Sequence, residues 1–94
     1  PGPGRRALTF RRTLRIQNVK GLHARASARL VEVVERHDAA ATVSKDGMSS
    51  SGDSIMGLLM LAASKGSTVE VETEGPEAEA LMAAIEALVA DKFG

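Results

Sequence analysis

Two stretches hold the side chains most capable of chemistry. In Gly21-Leu22-His23-Ala24-Arg25-Ala26 a histidine stands directly before an amphipathic run, with an arginine two residues on. A histidine at a helix start faces the positive end of the macrodipole and several backbone N–H groups with no partner inside the helix, a setting that favours the neutral ring. A neutral imidazole is a nucleophile. Were it to attack a phosphoryl donor, the new dianion would lie against those N–H groups and near the Arg25 guanidinium, the arrangement that favours phosphate at a helix start. The six residues are therefore compatible with a phosphohistidine site, although taken alone a histidine in this place is more often a cap or a surface residue. In the second stretch, Asp53-Ser54-Ile55-Met56-Gly57, two capping oxygens precede an apolar run.

Other chemistries find less support. His23 has no identifiable Ser or Asp partner for hydrolysis. The chain has no cysteine, which excludes a disulfide framework, thiolate metal sites and thiol catalysis, and agrees with a reducing compartment. His37 suits the negative end of the first helix, and no second histidine at ligand spacing makes it a metal site. Asp46-Gly47 lacks the further oxygen ligands of a calcium loop. Neither a metal nor a cofactor is expected. With 94 residues the chain makes one small domain that buries roughly 60 to 65% of its unfolded surface. No apolar run approaches the roughly 18 residues of a membrane span, and no secretory signal opens the chain. The expectation is a cytoplasmic protein without membrane insertion.

Net charge is zero, yet residues 1–36 carry nine Lys/Arg against two Asp/Glu and residues 37–94 carry three against ten, so the halves stand at +7 and −7. A basic half can point to nucleic acid, but Phe10 and Phe93 are the only aromatics, leaving no stacking platform for single strands. A basic docking face for acidic proteins fits better, and a solvated set of arginines explains Arg5, Arg6, Arg11 and Arg12 equally well.

The elements that must position these residues follow from periodicity. Residues 1–6 read as a flexible lead or a cloning remnant, and 7–94 as the domain. Leu8, Phe10, Leu14 and Ile16 alternate with polar residues over 8–17, a half-buried strand that Arg12 interrupts by an edge, a bulge or an early end. A first helix runs from 24 to about 36, with Ala26, Leu30, Val33 and Val34 inward and Ser27, Arg29, Glu32 and Arg36 outward. Strands at 40–45 and 48–51 flank the tight-turn pair Asp46-Gly47. A second helix, 55 to about 63, is apolar on all sides, which predicts an exposed patch containing Met56, with Met60 assigned to either patch or core. Val69, Val71 and Thr73 alternate with glutamates in a fourth strand. Pro76 then opens a third helix whose stripe is Leu81, Ile85, Leu88 and Val89. The order β-α-β-β-α-β-α predicts an α+β fold, one antiparallel sheet with helices on one face.

Gly-Leu-His-Ala-Arg at 21–25 and Ser-Ile-Met-Gly at 54–57, on that element order, resemble HPr, the histidine-containing phosphocarrier family of the bacterial phosphoenolpyruvate-dependent phosphotransferase system. The resemblance covers nearly the whole chain from about residue 7. It implies an open-faced β-sandwich with strand order 1-4-2-3. It implies phosphorylation of His23 on Nδ1 by phosphoenolpyruvate-charged enzyme I, onward transfer to a histidine of an EIIA-type protein, and a charge-neutralising role for Arg25. Ser54 falls on the family's regulatory serine, the target of an HPr kinase/phosphorylase, and reads equally as a plain helix cap. Leu22, Ile55, Met56 and Leu59 form the expected partner-binding set. Two departures stand out: Ala26 replaces the proline common after the active-site arginine, and Asp53 precedes Ser54. His-Ala-Arg-Ala-Ser-Ala looks more like proteobacterial members of a nitrogen-related or regulatory branch than those of the sugar branch. A monomeric carrier that is not itself an enzyme leads. A regulatory binding module governed by phosphorylation comes second, and a nucleic-acid-binding domain ranks far below.

Overall fold

The computed structural model describes residues 9–94, so the expected lead, Arg5, Arg6 and Leu8 lie outside the described residues. The chain runs β1 (Thr9–Arg15), α1 (Ala24–Glu35), β2 (Ala40–Lys45), β3 (Met48–Ser51), α2 (Ile55–Met60), β4 (Thr68–Glu74) and α3 (Ala78–Ala90). The four strands form one sheet in the order β1-β4-β2-β3, with every neighbouring pair antiparallel. This is the α+β open-faced sandwich expected from the periodicities and from the resemblance.

Period-two patterning decides which face of the sheet is covered. Val69, Val71 and Thr73 of β4 lie beside Leu14, Arg12 and Phe10 of β1, and Val71 and Thr73 also oppose Val43 and Ala41 of β2. These residues face the helices, whereas the opposite face carries Thr13, Arg11, Glu70, Glu72 and Thr42 into solvent. β4 is central because it pairs on both edges. Asp46 and Gly47 both have positive φ, 51° and 82°, which gives the β2–β3 hairpin the two-residue turn that matches strand twist.

Arg12 does not interrupt β1. Its register with β4 is continuous from Thr9 opposite Glu74 to Arg15 opposite Thr68, so the strand has no bulge there. The arginine is tolerated on the helix side because β1 is an edge strand, where its guanidinium escapes past the core to within 3.9 Å of Glu86 on α3.

Helix α1 lies between the other two and touches both. Leu30, Val31 and Val34 join Leu58, Leu61, Leu81, Met82, Ile85 and Val89 over the sheet in one core. Several expectations are corrected. Ser27, assigned outward, is fully buried, because α1 packs on two sides and the hydroxyl can donate to Leu22 O at 3.3 Å. Helix α2 stops at Met60 rather than near Ala63. Leu61 and Ala62 close it with i→i−3 bonds, and Ala62 takes φ 52°, because the chain must turn to deliver Ala63 to the first loop. Met60 is exposed and belongs to the surface patch. Helix α3 begins at Ala78 with Glu77 at its N-cap, two residues past Pro76, because Glu77 is tied to the α1–β2 connection through its N–H to Asp38 O at 3.0 Å. Phe93 is 4% exposed and fills the core, although its place at the very end of the chain gave no periodic signal.

Candidate functional site

The loop before α1 is held at three points. Gly21 has φ 63°, a left-handed conformation, and a Cβ there would overlap the Ala63 carbonyl oxygen and stand 2.8 Å from Ser64 Cα. Its N–H donates to Asn18 O at 3.1 Å, and Leu22 N–H donates to Ala63 O at 2.8 Å. Asn18 Nδ2 donates to Gly21 O at 2.6 Å. The segment after α2 is thus bonded to the residue before His23, which is how the two chemically suggestive stretches come to share one region of the surface.

His23 is the N-cap of α1, with extended backbone (φ −78°, ψ −176°) and no side-chain capping bond. The first bond of the helix is Ser27 N–H to His23 O at 2.8 Å. The N–H groups of Ala24, Arg25 and Ala26 precede it and have no partner within the helix. The half-buried ring places Nδ1 3.0 Å from Gly21 O. A carbonyl only accepts, so this contact puts a proton on Nδ1 and leaves the lone pair on Nε2.

Beside the ring lies an open cleft of about 400 Å³, lined by Asn18, Val19, Lys20, Arg25, Arg29 and the C-terminal residues Lys92 to Gly94 as well as His23. Four of these side chains are cationic. Arg25 is exposed, and no carboxylate among the described residues pairs with it. The arrangement can accept an anion: a ring nitrogen and an unneutralised guanidinium border the same space, at a helix start whose first N–H groups have no partner within the helix. Reasoning from the sequence did not single out Asn18, Lys20, Arg29 or Lys92. Asn18 reads as one loop residue among several, and Lys92 reaches the cleft only because the chain doubles back after α3. His37 is elsewhere, its Nδ1 2.7 Å from Val33 O at the far end of α1. Among the described residues no three of His, Cys, Asp and Glu gather where a metal ion could be held.

Ser54 is the N-cap of α2, and its Oγ accepts from Gly57 N–H at 3.0 Å. Of the two candidate caps the structure uses the serine, while Asp53 accepts from Ser51 Oγ instead. Ser54→Ala is expected to lower stability by about 1 kcal/mol, read as a shift in the urea midpoint; an unchanged midpoint would show that the cap bond contributes nothing. Ile55, Met56 and Met60 are 40, 69 and 66% exposed, and Leu59 is half-buried, so α2 presents an apolar surface. Leu22 does not belong to it. At 5% exposed it is a core residue, since its backbone bond to Ala63 draws the side chain inward.

Known proteins resemble this chain along most of its length. The family described as PTS HPr component phosphorylation site matches residues 10–91. The phosphocarrier protein HPr of Cupriavidus necator is 44% identical over 85 residues, covering 90% of this chain and 96% of that protein. The phosphocarrier protein NPr of Escherichia coli is 37% identical over 87 residues, covering 92% of this chain and 97% of that one. The crystal structure of HPr-C-His from Thermoanaerobacter tengcongensis superposes with a TM-score of 0.86 at 34% identity, covering 90% of this chain and 96% of that one. No helix among the described residues is long and apolar enough to cross a membrane. A chain with this sheet order, a histidine capping its first helix and relatives of this similarity along nearly its whole length belongs to the HPr family of phosphocarrier proteins of the phosphotransferase system.

Proposed function

We propose that this phosphocarrier takes its phosphoryl group on His23 from phosphoenolpyruvate-charged enzyme I and passes it to a histidine of an EIIA-type protein. The observation that carries the reading is the half-buried His23 ring at the N-cap of α1, beside unpaired first-turn N–H groups and the unpaired Arg25. Transfer forms a bond between phosphorus and Nδ1 as the donor's phosphorus–nitrogen bond breaks, and the donor ring recovers its electron pair. Attack from Nδ1 requires the lone pair on that atom and the proton on Nε2. The ring must therefore exchange its Nδ1 proton and release Gly21 O before it reacts. Arg25 and the first-turn N–H groups then stabilise the phosphoryl dianion.

The protein partners are acidic surfaces with an apolar spot to match α2. Nucleic acid fits less well: Arg11 is paired with Glu72 at 3.2 Å and Arg12 lies near Glu86, so part of the basic charge is already neutralised. The carrier works as a cytoplasmic monomer and turns over no small molecule alone. The acceptor belongs to the sugar or the nitrogen-regulatory branch: the likeness to NPr and the stretch His-Ala-Arg-Ala-Ser-Ala speak for the second, the greater identity to the HPr of Cupriavidus necator for the first. Ser54 is the site where an HPr kinase/phosphorylase would act. A phosphate on its Oγ would displace the bond to Gly57 N–H and place charge beside Ile55 and Met56, weakening docking. The alternative, a regulatory module governed by phosphorylation at His23 or Ser54, draws on the exposure of the same apolar helix.

Phosphorus NMR after incubation with phosphoenolpyruvate and enzyme I tests the relay. An acid-labile phosphoramidate signal is expected, and its absence with an enzyme I active on another carrier would rule the relay out. Met56→Glu is expected to weaken enzyme I binding about tenfold, a change of about 1.4 kcal/mol; calorimetric titration giving an unchanged Kd would place Met56 outside the interface.

A further inference from the structure

We infer that Asn18 is a positioning residue for His23, acting through the Gly21 carbonyl to keep the proton on Nδ1 releasable; the inference rests on the phosphocarrier reading. Three donors converge on Gly21 O: Asn18 Nδ2 at 2.6 Å, the His23 backbone N–H at 2.9 Å and His23 Nδ1 at 3.0 Å. A carbonyl oxygen has two lone pairs, so these donors compete. The side-chain amide holds the shortest contact and the ring the longest.

The direction of the amide follows from the same chemistry. Turned over, Asn18 would set Oδ1 against Gly21 O, two acceptors with no proton between them. In the orientation that avoids this, Oδ1 is buried without a partner among the described residues. An apolar side chain in the same place would strand no acceptor, so the contribution particular to the amide is its bond to Gly21 O. The carbonyl does not need Asn18 to stay in place. Leu22 N–H, in the same peptide group, is held by Ala63 O at 2.8 Å, and Gly21 lies against the Ala63 and Ser64 backbone.

Removing the amide therefore leaves the acceptor where it is, with one donor fewer. The ring then takes a larger share of Gly21 O, and the form with the proton on Nδ1 gains over the form with it on Nε2. In phosphoryl transfer the new bond forms at Nδ1 while Nε2 keeps the proton, so a firmer hold on the Nδ1 proton slows uptake. Asn18 thus leaves the Nδ1 proton of the ring free to exchange.

The test compares the wild-type chain with Asn18→Ala and the near-isosteric Asn18→Leu, the second covering the case in which the smaller side chain loosens the loop. Nitrogen-15 NMR of the imidazole at a pH of about 9, above the ordinary histidine range, reads the ratio of the two neutral tautomers without any enzyme I. Both variants are expected to raise the ratio of the Nδ1-protonated form about threefold, the effect of one shared neutral hydrogen bond, and to slow phosphoryl uptake by a similar factor. A merely structural asparagine would lower the melting temperature without raising that ratio. An unchanged or reduced ratio overturns the inference, as does a raised ratio with unchanged uptake. Failure of the wild type to take up phosphate would sink the phosphocarrier reading instead, and the tautomer ratio alone would then decide whether Asn18 acts on the ring.

Discussion

His23→Ala is expected to remove phosphoryl acceptance completely while the protein stays folded. Among the described residues the ring makes one hydrogen bond, Nδ1 to Gly21 O, and caps no helical N–H group. Its loss should therefore cost about 1 kcal/mol at most, a minor fraction of the roughly 5 to 15 kcal/mol that holds a domain together. Function has no such reserve. The only other histidine, His37, is bonded to Val33 O at the opposite end of α1 and cannot take over. The paired measurement is phosphorus NMR for the phosphoramidate and circular dichroism for the melt. A residual phosphoramidate in the variant would move the acceptor away from His23. A collapse of the melt would make the ring a structural residue.

The largest effect on stability is expected from Gly21→Ala, which should lose about 3 kcal/mol. The left-handed backbone costs an alanine about 1 to 2 kcal/mol. The added methyl cannot coexist with the Ala63 carbonyl, so the loop must move and the bond from Leu22 N–H to Ala63 O is strained or lost, a further contribution of about 1 kcal/mol. Chemical unfolding of the variant against wild type gives the difference directly. Equal midpoints would mean that the loop relaxes freely and that Gly21 does not anchor the site.

Much of the fold was legible because burial in this small domain follows simple periods. Phe10 and Leu14 on one parity and Val69, Val71 and Thr73 on another are the helix-facing sides of β1 and β4, Ile16 continues the first just past the strand, and Asp46-Gly47 makes the two-residue turn between β2 and β3. Leu81, Ile85 and Val89 at helical spacing face the core of α3. Helix ends were less legible, since the early stop of α2 and the late start of α3 are decided by bonds to distant loops, Leu22 with Ala63 and Glu77 with Asp38. Burial was misjudged where a polar residue found a partner inside, as Ser27 did with Leu22 O. It was misjudged again where an apolar residue of a functional motif, Leu22, turned out to be a core residue.

For the site, local sequence was enough to place a histidine at a helix start with an arginine one half-turn on, because capping position and helix phase are properties of a few neighbouring residues. The element order and the strand arrangement also followed from the chain by itself, through alternation, turn chemistry and resemblance. Only the tertiary structure decided what surrounds the ring. The hydrogen bonds converging on Gly21 O, the cationic lining supplied by Lys20, Arg29 and Lys92, and the tether from Ala63 join residues that lie far apart in the chain or are separated by an irregular loop. No periodicity records such contacts. They exist because the core draws α1, α2 and the end of α3 together over one sheet, and the polar groups at their ends must then find partners among whatever the packing brings near.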